Sequence, residues 1–538
     1  MLRRGPALLF ALLLAATAAA FAGGFRNGWT SADDDTLVLW NPAQRRFGAK
    51  ELREALDPRA SRRLYGHQYT PLSDLSYALD RKIFGERAGP YHLQPLLFHL
   101  AAAAAVFALA RRLGATPVAA FVAGAVFALH PCQVNSVTWI SGRRTAIAGA
   151  LVFFAALAWA RARGPERSRA AYAASLVFAL LANLAKQSAV ITFPVCVLVD
   201  WALPWRAEKK YSLRKTLLAM LPHAAISIAF VALGIWVGRR EGIIAPHSLG
   251  PAERIQLVFV SAGEHLRLFL WPSGLQPLYR TEMPAGWLDR RVLAGAVLAL
   301  AAAGALALFL RKRAVLVSFG IALFAVALAP NVHAMGTQVV ADRYLYASLA
   351  GAGIAAAGAI RAIERRDRSL ALLLGSGLAA VLFTLTVFRV PVWRDDVTLF
   401  GDAVTSDPLS GIMHRYYGRA LAEAGRLEEG EWELRRAAVL LSAPAARGRW
   451  LFPIVLGEIA LICETRGDLA EARALHAAAF TAAGPLEIDV AAVAYATFLE
   501  HRGEIDEARR VLREALARAK ADAPKVSARL LELDGQKP

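Results

Sequence analysis

Asp33, Asp34 and Asp35 stand side by side shortly after an apolar N-terminal run, with Asn41-Pro42 behind them. Adjacent carboxylates repel one another, so one of them should hold its proton unusually tightly unless a cation or metal neutralises the group. Such a carboxylate can act as general base toward a hydroxyl or bind a divalent metal, with Asp33 and Asp34 as the candidate ligands. The same run also suits a solvated turn or a helix N-terminus. Cations recur further on: Arg143 and Arg144 in Trp139-Ile140-Ser141-Gly142-Arg143-Arg144, Lys186 in Leu184-Ala185-Lys186-Gln187, and Arg343 in Ala341-Asp342-Arg343-Tyr344-Leu345-Tyr346. Arg grips phosphate bidentately and Lys meets it as a point charge. Carboxylates at one place and cations at another suit an acceptor that must lose a proton and an anionic lipid-phosphate donor whose departure needs electrostatic help. Each cation alone equally suits snorkelling at a membrane interface.

His67, Tyr69, His92, His99 and His130 are further candidates for the lining of such a site, as are Asp342 and Tyr344. His92 and His99 are seven residues apart and share a helix face two turns apart. That separation is too long for one metal held by two histidines of a single helix, and paired histidines on a span more often hydrogen-bond between helices.

These residues sit among apolar runs that approach the ~20 residues needed to cross a bilayer. Of 538 residues 56% are hydrophobic, and the runs cover 7–22, 93–110, 117–130, 146–160, 170–184, 188–203, 216–236, 292–310, 314–330, 344–360 and 369–388. A retained first span is favoured over a cleaved signal peptide ending near Ala20-Phe21-Ala22, because many spans follow. Basic clusters at Arg3/Arg4, Arg111/Arg112, Arg161–Arg169, Arg206–Lys215, Arg311–Arg313 and Arg361–Arg368 fall on alternate loops. With the N-terminus inside, all of them face the cytoplasm, as the positive-inside rule asks. Segment 254–271 reads as an interfacial or half-inserted helix carrying Glu264, His265 and Arg267, and an odd number of spans then places residues 389–538 outside. The net charge of +19 is uneven: residues 395–538 carry 18 basic and 23 acidic residues, and the remainder 44 and 20. The basic excess therefore lies beside the spans, where it sets topology and touches lipid headgroups; it does not argue for nucleic acid.

After Arg394 the pattern changes to amphipathic helices of about a dozen residues. Gly425, Gly467 and Gly503 each open a similar unit, 42 and 36 residues apart, with Gly430, Ala472 and Ala508 at its sixth position. That resembles the ~34-residue tetratricopeptide repeat with insertions, three copies being about the minimum for a stable solenoid. Such a domain offers a concave surface for a protein acceptor or partner; a rigid spacer or dimerisation element is the plainer alternative. The cysteines, Cys132, Cys196 and Cys463, form no motif from which a disulfide framework or zinc site follows.

The order Asp33-Asp34 with Asn41, Tyr69-x-Pro71-Leu72, Tyr91-His92…His99, His130-Pro131…Trp139-Ile140-Ser141-Gly142-Arg143, Leu184-x-Lys186 with Pro194, and Asp342-Arg343-Tyr344-x-Tyr346 resembles the transmembrane-and-tetratricopeptide-repeat proteins. The entry to the repeats, Val392-Trp393-Arg394…Leu399-Phe400…Pro408, is similar too. These are glycosyltransferases of the GT-C fold, with protein O-mannosyltransferases among the eukaryotic members and many bacterial relatives. The resemblance implies an all-α protein: a GT-C-like transmembrane bundle of about eleven spans over 1–391, with a long first outer loop at 23–92, then an extracytoplasmic tetratricopeptide-repeat α-solenoid over 392–538. It implies a polyprenyl-phosphate sugar as donor, the acidic residues of the first loop as the catalytic site, and Arg143, Lys186 and Arg343, with neighbouring Arg144, near the donor phosphate. Asn135, Thr145 and Gln187 stand where relatives carry acids.

The expected function is transfer of a sugar from a lipid-linked donor to a protein or glycan acceptor at the outer face of a bacterial inner membrane. The alternative is a non-catalytic membrane-anchored repeat scaffold for envelope complexes. A secondary transporter is disfavoured, since no inverted repeat or broken span pair of the transporter kind is found.

Overall fold

The computed structural model describes residues 5–46, 48–60, 68–164, 167–203, 213–241, 249–331, 338–443, 448–485, 487–519 and 523–534. Among them every regular element is helical, and the chain divides into two compact units, 1–395 and 396–538.

In the first unit each of the eleven apolar runs falls on helix. Length separates them. Gly5–Arg26, Ala88–Arg112, Arg143–Arg163, Arg214–Arg240, Arg290–Arg311 and Arg368–Trp393 are long and apolar enough to cross a membrane alone. The consecutive Pro117–Ala128 and Pro131–Val137 helices make a seventh if their 48° bend is one broken span. The other four runs lie on shorter helices, Arg169–Ala185, Gln187–Ala202, Val315–Asn331 and Ser348–Glu364, near the lower end of the length that crosses a bilayer. The bend has a local cause. Pro131 cannot donate to the helix before it, and the His130 ring accepts the Cys132 N–H at 3.3 Å to start the next turn. The segment expected to lie at the interface is the Pro251–Leu270 helix, packed on Arg290–Arg311.

Several long helices turn apolar side chains outward; Leu300 is 72% exposed and Phe388 75%. Apolar surface on this scale needs lipid to cover it, and the chain is a multi-pass membrane protein. Inside the bundle small residues let backbones meet. A Cβ on Gly351 would lie 2.6 Å from the Gly320 carbonyl, so the Val315–Leu328 and Ser348–Glu364 helices cross at a distance no larger residue permits.

The second unit contains three helical hairpins: Gly411–Glu423 with Leu427–Ser442, Phe452–Arg466 with Leu469–Ala482, and Ile488–His501 with Ile505–Arg518. Gly425, Gly467 and Gly503 sit at the three turns with φ of 80°, 84° and 76°, the left-handed conformation glycine adopts without a Cβ penalty. The next N–H reaches back to the Leu421, Cys463 or Leu499 carbonyl at 2.8–3.0 Å, closing each first helix with a Schellman cap. These hairpins are compatible with a repeat solenoid.

Candidate active site

The site is organised by the turn between the bent helix and the Arg143–Arg163 helix. Residues 138–145 are buried apart from half-buried Arg144, although they carry Thr138, Ser141, Arg143, Arg144 and Thr145. A buried turn must find partners for its backbone. Asp34 accepts the Ser141 N–H at 2.8 Å, and the Tyr77 hydroxyl donates to the Ser141 carbonyl at 3.0 Å.

The three aspartates have different positions. Asp34 is buried: one oxygen takes the Ser141 N–H, the other the Thr30 N–H at 3.2 Å and hydroxyl at 3.0 Å. Burial pushes its carboxyl up to about 7 against the lowering effect of those donors. Asp33 is exposed and held at φ 89°, a left-handed conformation uncommon for a non-glycine residue. Asp35 is half-buried and accepts the Thr36 N–H at 2.7 Å. Asp34 thus ties the loop to the turn, and Asp33 beside it is exposed. The oxygens of Asp33 and Asp34 do not join a third donor in a metal-binding group among the described residues, and both Asp34 oxygens accept from N–H or O–H groups.

The four expected phosphate ligands separate as well. Arg143 is fully buried: it pairs with Asp80 at 2.6 Å, donates to the Tyr91 carbonyl at 2.8 Å and lies 4.7 Å over the Tyr77 ring. This commits Arg143 to holding the first loop on the bundle, in place of the phosphate-binding role expected for it. Arg144, Lys186 and Arg343 differ. Lys186 donates to the Thr145 hydroxyl at 2.7 Å, and Arg144 reaches the side-chain amide oxygen of Gln68 at 3.5 Å. Arg343 bonds Gln338 and lies 5.4 Å over the Trp139 ring. Arg343 and Arg144 are both close enough to Lys186 to act on its charge. Their described hydrogen-bond partners are all neutral. Lys186 and Arg343 line one cavity of about 30 Å³ together with Thr145, Tyr344 and Tyr346, room for one or two waters.

The remaining expected residues are mostly structural ties. The His99 ring joins the Tyr346 hydroxyl at 2.9 Å and the Ala128 carbonyl at 3.0 Å, an interhelical bond as its position on a span suggests. His130 meets the Phe269 carbonyl at 3.0 Å, and Tyr69 donates to the Leu56 carbonyl at 3.0 Å. Buried His92 is approached by the Asn27 and Thr138 backbones. Asp342 accepts from the Tyr279 hydroxyl, and burial pushes its carboxyl up to about 6. His67 lies outside the described residues.

Asp80 and Tyr77 are absent from the sequence expectation. In Asp80-Arg81-Lys82 the acid reads as part of a solvated helix end. The usable signal was helical period: Ser73, Tyr77, Asp80 and Phe84 recur at intervals of three or four along the Pro71–Phe84 helix and form its inward face.

Fold and site define an all-α multi-pass membrane protein in which a few buried acids and a group of cations meet around one turn. No family model matches the chain. It is similar to protein O-mannosyl-transferase Tmtc2 of Drosophila melanogaster, 33% identical over 138 residues, 24% of this chain and 15% of that protein. It is similar also to Tmtc1 of Drosophila melanogaster, 29% over 136 residues, 25% of this chain and 16% of the relative. The human protein O-mannosyl-transferase TMTC3 is 25% identical over 134 residues, 24% of this chain and 14% of the relative. In each case the matched stretch is a small fraction of the relative's length.

Proposed function

We propose that the chain is a membrane glycosyltransferase that moves a sugar from a polyprenyl-phosphate donor to a hydroxyl of a protein or glycan acceptor at the outer face of a bacterial inner membrane. The observation that carries this reading is the group Arg144, Lys186 and Arg343, three neighbouring cations whose described partners are neutral, beside the turn that also holds Asp34. Three neighbouring cations with one buried acid, Asp342, within reach of Arg343 carry a surplus of positive charge that an anion would offset. The neutral residue Thr145, in place of an acid, keeps that charge available. The similarity to protein O-mannosyl-transferases supports the same reading.

In this reading the acceptor oxygen attacks the anomeric carbon, the bond to the phosphate oxygen breaks with its electron pair, and the anomeric configuration inverts. The three cations stabilise the departing phosphate. Asp33, exposed on its strained turn, takes the acceptor's proton, and Asp34 positions it. Residues 396–538 recruit the acceptor.

The test compares sugar transfer by membranes carrying wild type, Asp33→Asn and Asp34→Asn, supplied with polyprenyl-phosphate-linked mannose or glucose. Loss of transfer in Asp33→Asn is expected. Equal transfer by all three would remove the acids from the chemistry. No transfer by wild type, with stoichiometric partners recovered and an unaltered glycan profile in a deletion strain, would favour the scaffold.

A further inference from the structure

Four buried polar atoms beside the phosphate-facing cations have no hydrogen-bond partner: Nδ2 and Oδ1 of Asn135, Nε1 of Trp139 and Nη1 of Arg343. Asn135 is 1% exposed and Trp139 6%. Buried polar groups are nearly always satisfied, and the same stretch leaves the Ser136, Thr138 and Ser141 hydroxyls without a partner as well; of these groups the Asn135 amide and the Trp139 N–H adjoin Arg343. The residues are neighbours by construction. Val134–Val137 is helical and Thr138 continues in the right-handed conformation, so Asn135 and Trp139, four apart, share a face. The Arg343 guanidinium lies 5.4 Å from the Trp139 ring. That ring also stacks on Trp393 at 5.8 Å, so its faces are taken up by neighbours. Its N–H edge is what remains to bind.

We infer that Asn135, Trp139 and Arg343 form a subsite for the sugar of the lipid-linked donor, next to the phosphate subsite and joined to it through Arg343. This rests on the function proposed above. The donor and acceptor types choose the ligand. A phosphate or carboxylate accepts only, and would leave the Asn135 carbonyl without a partner. A hydroxyl both donates and accepts, so adjacent hydroxyls satisfy the amide on both sides and take the indole N–H as well. Such pairing discriminates strongly, because a sugar lacking the hydroxyl leaves the buried groups orphaned.

The test measures binding of two probes to full-length protein in nanodiscs: bare polyprenyl phosphate, and polyprenyl phosphate carrying mannose, glucose or N-acetylglucosamine. Trp139→Phe keeps the ring and removes only the N–H; Asn135→Ala removes both amide atoms. Each should weaken the best glycosylated probe about tenfold and leave the bare lipid within about twofold, the loss of one or two hydrogen bonds to sugar alone. Arg343→Gln should weaken both probes. The subsite is overturned if Trp139→Phe and Asn135→Ala spare the glycosylated lipids, weaken both probes alike, or if wild type prefers none of the sugars to the bare lipid. Those results leave the phosphate reading standing. Failure of wild type to bind the bare lipid removes the phosphate reading, and the subsite with it. Melting temperatures identify a variant that fails to fold, and the other variant then decides.

Discussion

Charge is handled differently in the two units of this protein. In 396–538 acids and bases are matched. Glu431 takes Arg435 at 2.7 Å and Arg466 at 2.5 Å, Arg415 meets Glu458 with two bonds of 2.9 and 2.6 Å, and His476 meets Glu464 at 2.6 Å. Even the triad Glu431, Cys463 and Glu471, close enough together for a metal, has both carboxylates engaged by arginine. In 1–395 the Arg143–Asp80 pair is matched in the same way, but Arg144, Lys186 and Arg343 have neutral partners, and Asp34 is held by hydrogen-bond donors. Matched charge fixes a fold; charge held without a counter-ion reserves electrostatic energy for a ligand.

The comparison breaks most visibly at Arg143. Arg143→Met should cost about 3–5 kcal/mol, because Asp80 is left buried without its cation, and Arg143→Met with Asp80→Leu should recover most of the loss in detergent-solubilised thermal unfolding. Arg343→Gln should do the reverse: melting within a degree or two of wild type, with sugar transfer down about a hundredfold to a thousandfold. If Arg343→Gln unfolds the chain and Arg143→Met does not, the distinction between pinning and ligand-facing arginines is wrong.

Asp34 sharpens the contrast through pH. Its folded value, about 7, lies above the 3.8 of an unperturbed aspartate. The folded state therefore keeps a proton that the unfolded state releases, and the contribution is complete below about pH 4 and lost as pH rises through about 7. Asp342, at about 6, acts with the same sign. Melting temperature should fall between about pH 4 and 7, and Asp34→Asn should flatten that fall, as calorimetry across the range would register. The smallest effect belongs to the repeat unit. Gly467→Ala forces a Cβ into a φ of 84° and should cost about 1 kcal/mol, read as faster hydrogen exchange in 452–482 with no change in sugar transfer.

Apolar period and turn glycines were legible in one dimension. The runs at 7–22, 93–110 and 369–388 became helices within a few residues of their expected ends, and Gly425, Gly467 and Gly503 became turns. Span count was less legible. A run such as 188–203 is apolar along its length, but it folds as a tight turn of helix over Gln187–Ile191 followed by the short Thr192–Ala202 helix. Hydropathy measures composition, whereas crossing also needs continuous helix. The site divides the same way. Asp33–Asp35, Lys186 and Arg343 stood out by type, but nothing in Ser141-Gly142-Arg143-Arg144 distinguishes the arginine that pairs with a buried acid from the one whose partner is a neutral amide.

Residue order alone determined the helical class, the basic excess of the first 394 residues and the positions of the turns in the second unit, because each depends on local periodicity or simple counting. Tertiary structure alone decided that Asp80 takes Arg143, that Asp34 caps Ser141, and that Arg144, Lys186 and Arg343 come together with neutral hydrogen-bond partners. The partner of a charge is whatever folding brings within a few ångströms of it, and for Lys186 and Arg343 that neighbour is 157 positions away along the chain.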